Sequence, residues 1–295
     1  MRYGSILIAG VRRAVIVDGD DAYVHPNLSL DEVLAQGLSS YVPTVGLRTP
    51  TRELSFDAPL RPAVVFCAGQ NYRDHLDEKA PVKTTDLEFF LKAGQTIAAP
   101  GEPCVLDPRV TKKLDYETEL GIVIGRSGRH IRPEDALEHV AGYVIVNDVT
   151  ARDRQVVMHD DGTTGMSLGP GKNFDGSTRL GPLVTSADAV GDPDDLALTT
   201  LVNGEVRQQN STASMLTDVA HIVAWVSRLL TLMPGTVIAT GTPGGTGWGM
   251  DPSLGGTGRT PVGCVAASYL RAGDVVRSTI GDLAELEFTV VESDH

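Results

Sequence analysis

The sequence is short of cysteine, of basic runs and of long apolar stretches, and each shortage removes a class of function. Its three cysteines, Cys67, Cys104 and Cys264, are odd in number, far apart and include no CxxC pair. That excludes a disulfide framework and a thiolate zinc site, and leaves buried or incidental thiols. No apolar run approaches the ~20 residues a membrane span needs. Residues 6–11 are apolar but are followed at once by Arg12 and Arg13, unlike the core of a secretory signal. A formal net charge of -13 with no Lys/Arg-rich run opposes attraction to phosphate backbones or anionic membranes. The reading is a soluble protein of the cytoplasm with neither nucleic-acid nor membrane partners.

What is present is an ordinary globular composition, 41% hydrophobic and 21% charged over 295 residues, enough for one large domain with a small appendage. Residues 1–60 read as a small N-terminal α/β module. It has β-prone runs at 14–17 and 22–24, then a helix opened by Ser29 and Glu32 in capping-box spacing. Pro43, Pro50, Pro59 and Pro62 punctuate a stretch read as the linker into a main domain at 61–295. There, β-branched runs recur at 63–67, 117–124, 143–147, 196–202, 236–240, 275–280 and 285–291. Asn203-Gly204 between two such runs signals a hairpin, because both turn positions need positive φ. Two helices interrupt. A short one at 133–140 carries Pro133, Glu134 and Asp135 in its first turn. A long one aligns Met215, Leu216, Val219, Ile222, Val223, Val226, Leu229 and Leu230 on one face and ends at Pro234-Gly235. The fold class is α+β and β-rich, with a few helices covering mixed sheet.

Glu117 and Glu119 alternate along a run that reads as a strand, so both point to one face. Residues 143–146 form another apolar strand that ends in Asn147-Asp148, which displays a third carboxylate at a strand terminus. Three acids brought together repel unless a cation neutralises them, and an all-oxygen set suits Mg²⁺, Mn²⁺ or Ca²⁺ rather than zinc. On spacing alone, the bland alternative of a solvated acidic face stays open.

The wording of these segments resembles a known family. Asp115-Tyr116-Glu117-Thr118-Glu119-Leu120 is similar to the D-[YW]-E-x-E-L signature of the fumarylacetoacetate hydrolase family, and residues 147–153, NDVTARD, to its N-D-[VW]-[ST]-A-R-D. Four further stretches agree in order: GQNYRDH at 69–75, GKNFD at 171–175, VNGE at 202–205 and GTP at 241–243. The resemblance runs from about residue 63 to near the C terminus. It implies a mixed β-sandwich or β-roll core, commonly dimeric, with one divalent ion per subunit on Glu117, Glu119 and Asp148. The larger eukaryotic branch has a fourth ligand, an aspartate, where this chain has Ala68. Three protein ligands, as in the smaller acylpyruvase and oxaloacetate decarboxylase-like members, is then the expectation, which points away from fumarylacetoacetate itself.

Within the NYxxH context, His75 and Glu78 are expected one helical turn apart, as a base and the carboxylate that fixes its tautomer. Lys172, in the glycine-rich turn 168–171, is carried over as a substrate or oxyanion contact, and Gln155 as an oxyanion donor. Arg152 is a substrate contact, or pairs with Asp153 or Asp148 as support; Tyr72 and Thr242 complete the substrate set. His159 stands where some relatives have a tyrosine, and its role is open. Residues 241–247, GTPGGTG, lack the Gly-Lys-[Ser/Thr] ending of a phosphate loop, and the glycine-rich 244–263 reads as a mobile loop.

These parts describe a divalent-metal-dependent hydrolase that cleaves a carbon–carbon bond in a small acylpyruvate or β-diketo acid through a metal-stabilised enolate. His75 and Glu78 would activate water, and Lys172 and Gln155 would face the oxyanion. Decarboxylation, isomerisation or hydration of an oxaloacetate-like keto acid is the alternative, because the same enolate chemistry serves all of them. A noncatalytic metal-binding member of the fold is the third reading.

Overall fold

The computed structural model describes residues 1–43, 46–79, 87–159 and 164–294. Its largest sheet runs, edge to edge, through Leu47–Pro50, Asp21–Val24, Val11–Asp18, Arg2–Ile8, Val184–Ser186, Val140–Asp148, Thr118–Ile124, Val237–Ala239, Val64–Gly69 and Glu88–Ala93. Three short strands join it off this path. A second, five-stranded sheet is ordered Glu205–Ser211, Ala197–Val202, Val275–Ile280, Leu286–Glu292 and Cys104–Leu106. Pairing is mixed: Val237–Ala239 runs parallel to Val64–Gly69, whereas the central pair Thr118–Ile124 and Val140–Asp148 is antiparallel. The result is the β-rich α+β architecture that the sequence implies. Among the described residues no helix is long and apolar enough to cross a membrane.

The central pair is buried on both faces, which is why it reads as a nearly continuous apolar run. Strand periodicity splits its side chains. Val123, Val144 and Val146 join Val65, Cys67, Val237 and Ala239 in one core, shared with Ile16, Leu30 and Val33 from the N-terminal strands and helix. Leu120, Ile122, Tyr143 and Ile145 face the other way, against Ile222, Val223 and Val226 and against Leu198 and Ile280 of the second sheet. Each such aliphatic side chain removed from water contributes about 1.5–3 kcal/mol, so the register that keeps both sets buried is strongly fixed. A one-residue slip would exchange the two faces.

Local signals act where the sequence places them. Ser29 and Glu32 form a full capping box on the helix Leu30–Gln36. Asn203 and Gly204 take φ of +55° and +81° in the hairpin between Ala197–Val202 and Glu205–Ser211. Other elements differ. The long helix spans Val219–Leu229, not 215–230, because Asp218 caps it by accepting from the His221 N–H. Met215 and Leu216 instead bond back to the Tyr72 region, Leu216 donating to the Asn71 carbonyl at 2.8 Å. Pro133–His139 is a 3-10 rather than an α-helix. The proline-punctuated stretch contains two short strands: Leu47–Pro50 pairs with Asp21–Val24, and Phe56–Asp57 pairs with Arg2–Ile8.

Candidate functional site

The period of two along a strand assembles the site. Residues 117, 119, 121 and 123 share a face, as do 144, 146 and 148 on the neighbouring strand. At one end this face carries the valines of the core; at the other it carries Glu117, Glu119 and Asp148, all buried. Thr118 pairs with Asn147, so Glu117 falls beside Asp148, whose N–H donates to the Glu117 carbonyl at 2.8 Å. Glu117 itself sits just before the strand Thr118–Ile124 rather than inside it. One oxygen from each of the three carboxylates lies within 4.8 Å of the others. The same parity continues across the sheet, where Val65 and Cys67 lead to Gly69, Val237 and Ala239 to Gly241, and Phe90 to Lys92.

Cations partly neutralise the triad. Lys172 Nζ donates to Glu117 Oε2 at 2.6 Å, Asp148 Oδ2 at 2.8 Å and Thr150 Oγ1 at 2.9 Å. Lys92, fully buried, donates to Asp148 Oδ1 at 2.6 Å and to the Lys172 carbonyl at 2.6 Å. Arg152 donates to Asp115 at 2.7 Å and to Gln155 Oε1 at 2.8 Å; its Nη2 lies 2.6 Å from Glu117 Oε1 without the alignment of a hydrogen bond. Burial opposes ionisation of Glu117, but Arg152 and Lys172 outweigh it and hold its carboxyl well below the usual range. Burial likewise opposes the charge on Lys172, and Asp148 and Glu117 outweigh it to keep the ammonium protonated.

Glu119 has no such partner. Among the described residues its carboxylate accepts from the Gly241 N–H at 2.9 Å, and burial, then Asp148 and Glu117, push its pKa well above the ordinary value. The donor set therefore fits a hard divalent cation. It is all oxygen, it contains one buried carboxylate that makes no ion pair, and every oxygen already bonded to an ammonium or guanidinium keeps a second lone pair.

Beside the triad, His75 lies on the short helix Arg73–Asp77, with its Nδ1 3.0 Å from Glu78 Oε2. That leaves Nε2 as the ring nitrogen free for chemistry. Burial, then the charge of Lys79, depresses the His75 pKa well below its usual value, so the imidazole is neutral. Glu78 accepts from the Gly245 N–H and from Thr246 Oγ1 at 3.1 Å, yet burial still raises it to about 8. The glycine-rich loop is thus not a solvated appendage in its first part. Residues 241–249 are buried, Gly247 and Trp248 donate their N–H groups to Asp115, and Tyr116 donates to the Gly245 carbonyl. Gly245 is required there: its φ is +104°, and a Cβ would stand 2.0 Å from the Arg207 carbonyl oxygen.

His75, Glu117, Glu119, Gln155, Lys172 and Thr242 line one cavity of about 20 Å³, close to the roughly 10–15 Å³ that a single water requires. Glu78 stands behind His75. Asp148 and Arg152 are fully buried beneath Glu117, and Arg152 pairs with Asp115 and Glu117 rather than with Asp153 or Asp148. Asp153 is engaged with Thr111 and the Lys112 N–H. Tyr72 does not reach the cavity lining; it is fully buried, and its hydroxyl has no hydrogen-bond partner among the described residues. Lys172 belongs to a short helix, Leu168–Lys172, rather than to an open turn. His159 is exposed beyond the strand Val156–Met158.

Lys92 and Asp115 belong to the site, although nothing in the sequence singles them out as functional. The one signal for Lys92 is a basic residue at the same parity as Phe90 in an otherwise apolar edge strand. Asp115 lies within the family signature, but no neighbouring residue shows why it should bind Arg152 and two backbone N–H groups.

Known proteins resemble the chain over nearly its whole length. The pattern described as "Fumarylacetoacetate (FAA) hydrolase C-terminal" matches residues 64–291. Oxaloacetate tautomerase FAHD2A, mitochondrial, of Homo sapiens is 36% identical over 260 residues, 88% of this chain and 75% of that one. Oxaloacetate tautomerase YisK of Bacillus subtilis is 35% identical over 239 residues, 79% of this chain and 72% of its own. Among solved structures, the fumarylacetoacetate hydrolase of the psychrophile Exiguobacterium antarcticum superimposes with a TM-score of 0.80 at 38% identity, covering 99% of this chain and 100% of that one.

Proposed function

The chain belongs to the fumarylacetoacetate hydrolase family, and from that premise we propose that it is an enzyme of small 2-keto acids, interconverting their keto and enol forms at the Glu117, Glu119 and Asp148 site. One observation carries the reading: a buried carboxylate triad with one member outside any ion pair stands beside a histidine bonded to Glu78, and Glu117, Glu119 and His75 line one small cavity. Relatives at 35–36% identity named as oxaloacetate tautomerases support the reaction type.

Mg²⁺, one per subunit, is the proposed ion, and when bound it would polarise a substrate's keto oxygen as a Lewis acid. The chain's own residues supply the rest. His75 Nε2 takes a proton from the carbon next to the carbonyl and returns one at oxygen, while Glu78 in its ionised form accepts from Nδ1–H and so holds the ring and its tautomer. No bond between carbon atoms breaks. Thr242 Oγ1 donates to the Thr118 carbonyl and accepts from Gln208 Nε2, which fixes the cavity wall between Glu117 and Glu119.

Hydrolysis of an acylpyruvate is the second reading, favoured by the same His75 and Glu78 arrangement, which would equally take a proton from water. The two separate in D₂O with Mg²⁺. Keto–enol chemistry exchanges the C3 protons of oxaloacetate without releasing pyruvate, whereas hydrolysis releases pyruvate and a second acid from an acylpyruvate. Both should disappear in EDTA and in His75→Ala; activity that survives both treatments overturns the site assignment.

A further inference from the structure

An anionic substrate needs a cation, and the two that the sequence offers for it are already engaged. Lys172 is held by Glu117 and Asp148, and Arg152 by Asp115, Glu117 and Gln155. Lys79 also lines the cavity and is 7% exposed. Among the described residues its ammonium has no hydrogen bond and no ion pair. Glu88, on the same wall, accepts from Gln70 Nε2 at 2.9 Å, and with Glu117 it favours the Lys79 charge without forming an ion pair with it.

What holds Lys79 in place is the Trp248 ring, with Nζ 4.4 Å from its centroid. Arg152 lies 5.1 Å from that same ring, and His75 packs edge-on against it with centroids 6.3 Å apart. The buried indole thus carries the free ammonium beside the proposed base. Trp248 is positioned in turn by its own N–H to Asp115 at 3.0 Å and by Nε1 to the Leu254 carbonyl at 2.9 Å. A buried ammonium outside any ion pair is costly, and a carboxylate arriving from solution would relieve that cost.

Resting on the keto-acid reading, we propose that Lys79 receives the distal carboxylate of the substrate and so selects 2-keto dicarboxylates over 2-keto acids with an apolar tail. Burial and then the charge of Arg152 lower the Lys79 pKa to about 8 against the pull of Glu88 and Glu117, and an arriving carboxylate would raise it. Lys79 is a specificity determinant, distinct from the groups that move protons.

Malate and 2-hydroxybutanoate test this without turnover, because they differ only by a carboxylate in place of a methyl group. On the Mg²⁺-loaded protein at pH 7, calorimetry should show malate binding about 30-fold tighter, the worth of one charged hydrogen-bonded contact. Lys79→Met should collapse that ratio to within about threefold and leave 2-hydroxybutanoate affinity unchanged, while Lys79→Arg should restore part of it. An undiminished ratio in Lys79→Met, or equal loss for both acids, overturns the role of Lys79 even if keto-acid turnover stands. A collapsed ratio without any keto-acid turnover keeps the anion site and retires the proposed reaction. Failure of the wild type to bind either acid overturns both.

Discussion

The Lys172 ammonium lies 2.6 Å from the Glu117 carboxylate, with both groups buried. It bonds Asp148 as well, so one side chain ties together two of the three acids that a cation would use. Lys172 therefore stabilises the metal-free protein and competes with a metal for the same oxygens.

Lys172→Met should move these two properties in opposite directions. Breaking a buried pair from one side costs about 3–5 kcal/mol, so the variant should melt well below the wild type in EDTA. Its Mn²⁺ affinity should rise, because Glu117 and Asp148 lose a competitor. Weaker Mn²⁺ binding in calorimetry would show that Lys172 assists the ion rather than competing with it.

Glu119 should behave in the reverse sense. Burial, Asp148 and Glu117 disfavour its charged form and it makes no ion pair, so Glu119→Gln, a neutral side chain of the same size, should keep or raise Tm in EDTA. The upward shift of Tm that Mn²⁺ gives the wild type should vanish in the variant. A Glu119→Gln protein still stabilised by Mn²⁺ as the wild type is would remove Glu119 from the ligand set.

The pH dependence of stability should carry the signature of Glu78. Burial raises its folded pKa from 4.5 to about 8, against the pull of the Gly245 N–H and the Thr246 hydroxyl. The folded chain then holds an extra proton, so this contribution is complete below about 4.5 and is lost as pH rises to about 8. In EDTA, the stability of wild type minus that of Glu78→Gln should fall across this window by an amount of the order of a few kcal/mol. Urea denaturation at pH 5 and pH 8.5 reads the difference, and a flat or rising value contradicts the assignment.

The Gly245 backbone should be as demanding as the side chains. Gly245→Ala places a methyl against the Arg207 carbonyl at positive φ and disturbs the N–H that binds Glu78, so kcat/KM should fall at least about tenfold. Gly169→Ala is the control, since nothing lies within 4 Å of where its new methyl would stand, and it should stay near wild type in activity and Tm. Equal behaviour of the two variants would mean that the loop does not support the base.

Much of this arrangement is legible along the chain. The capping box at Ser29, the Asn203-Gly204 turn and the β runs at 117–124 and 275–280 are local signals whose physics acts within a few residues, and each appears in the structure. Apolar spacing alone starts the helix at Val219 four residues too early, because Met215 and Leu216 continue the pattern, while the Asp218 cap marks the true start. At 244–249 the discrepancy has a different origin. Glycine signals backbone freedom, but here that freedom lets the chain approach Glu78, Asp115 and Arg207 closely rather than move in solvent.

By itself, the sequence determined which acids share a face, because alternation along a strand and the hydrophobic pattern that fixes its register are written in neighbouring residues. It also determined the family, through ordered motifs that need no coordinates. Only the tertiary structure decided which charges are answered. Lys172 reaches Glu117 across 55 positions and Lys92 reaches Asp148 across 56, leaving Glu119 and Lys79 outside any ion pair among the described residues. Electrostatic energy depends on distance and burial in space, and no local pattern along the chain encodes either.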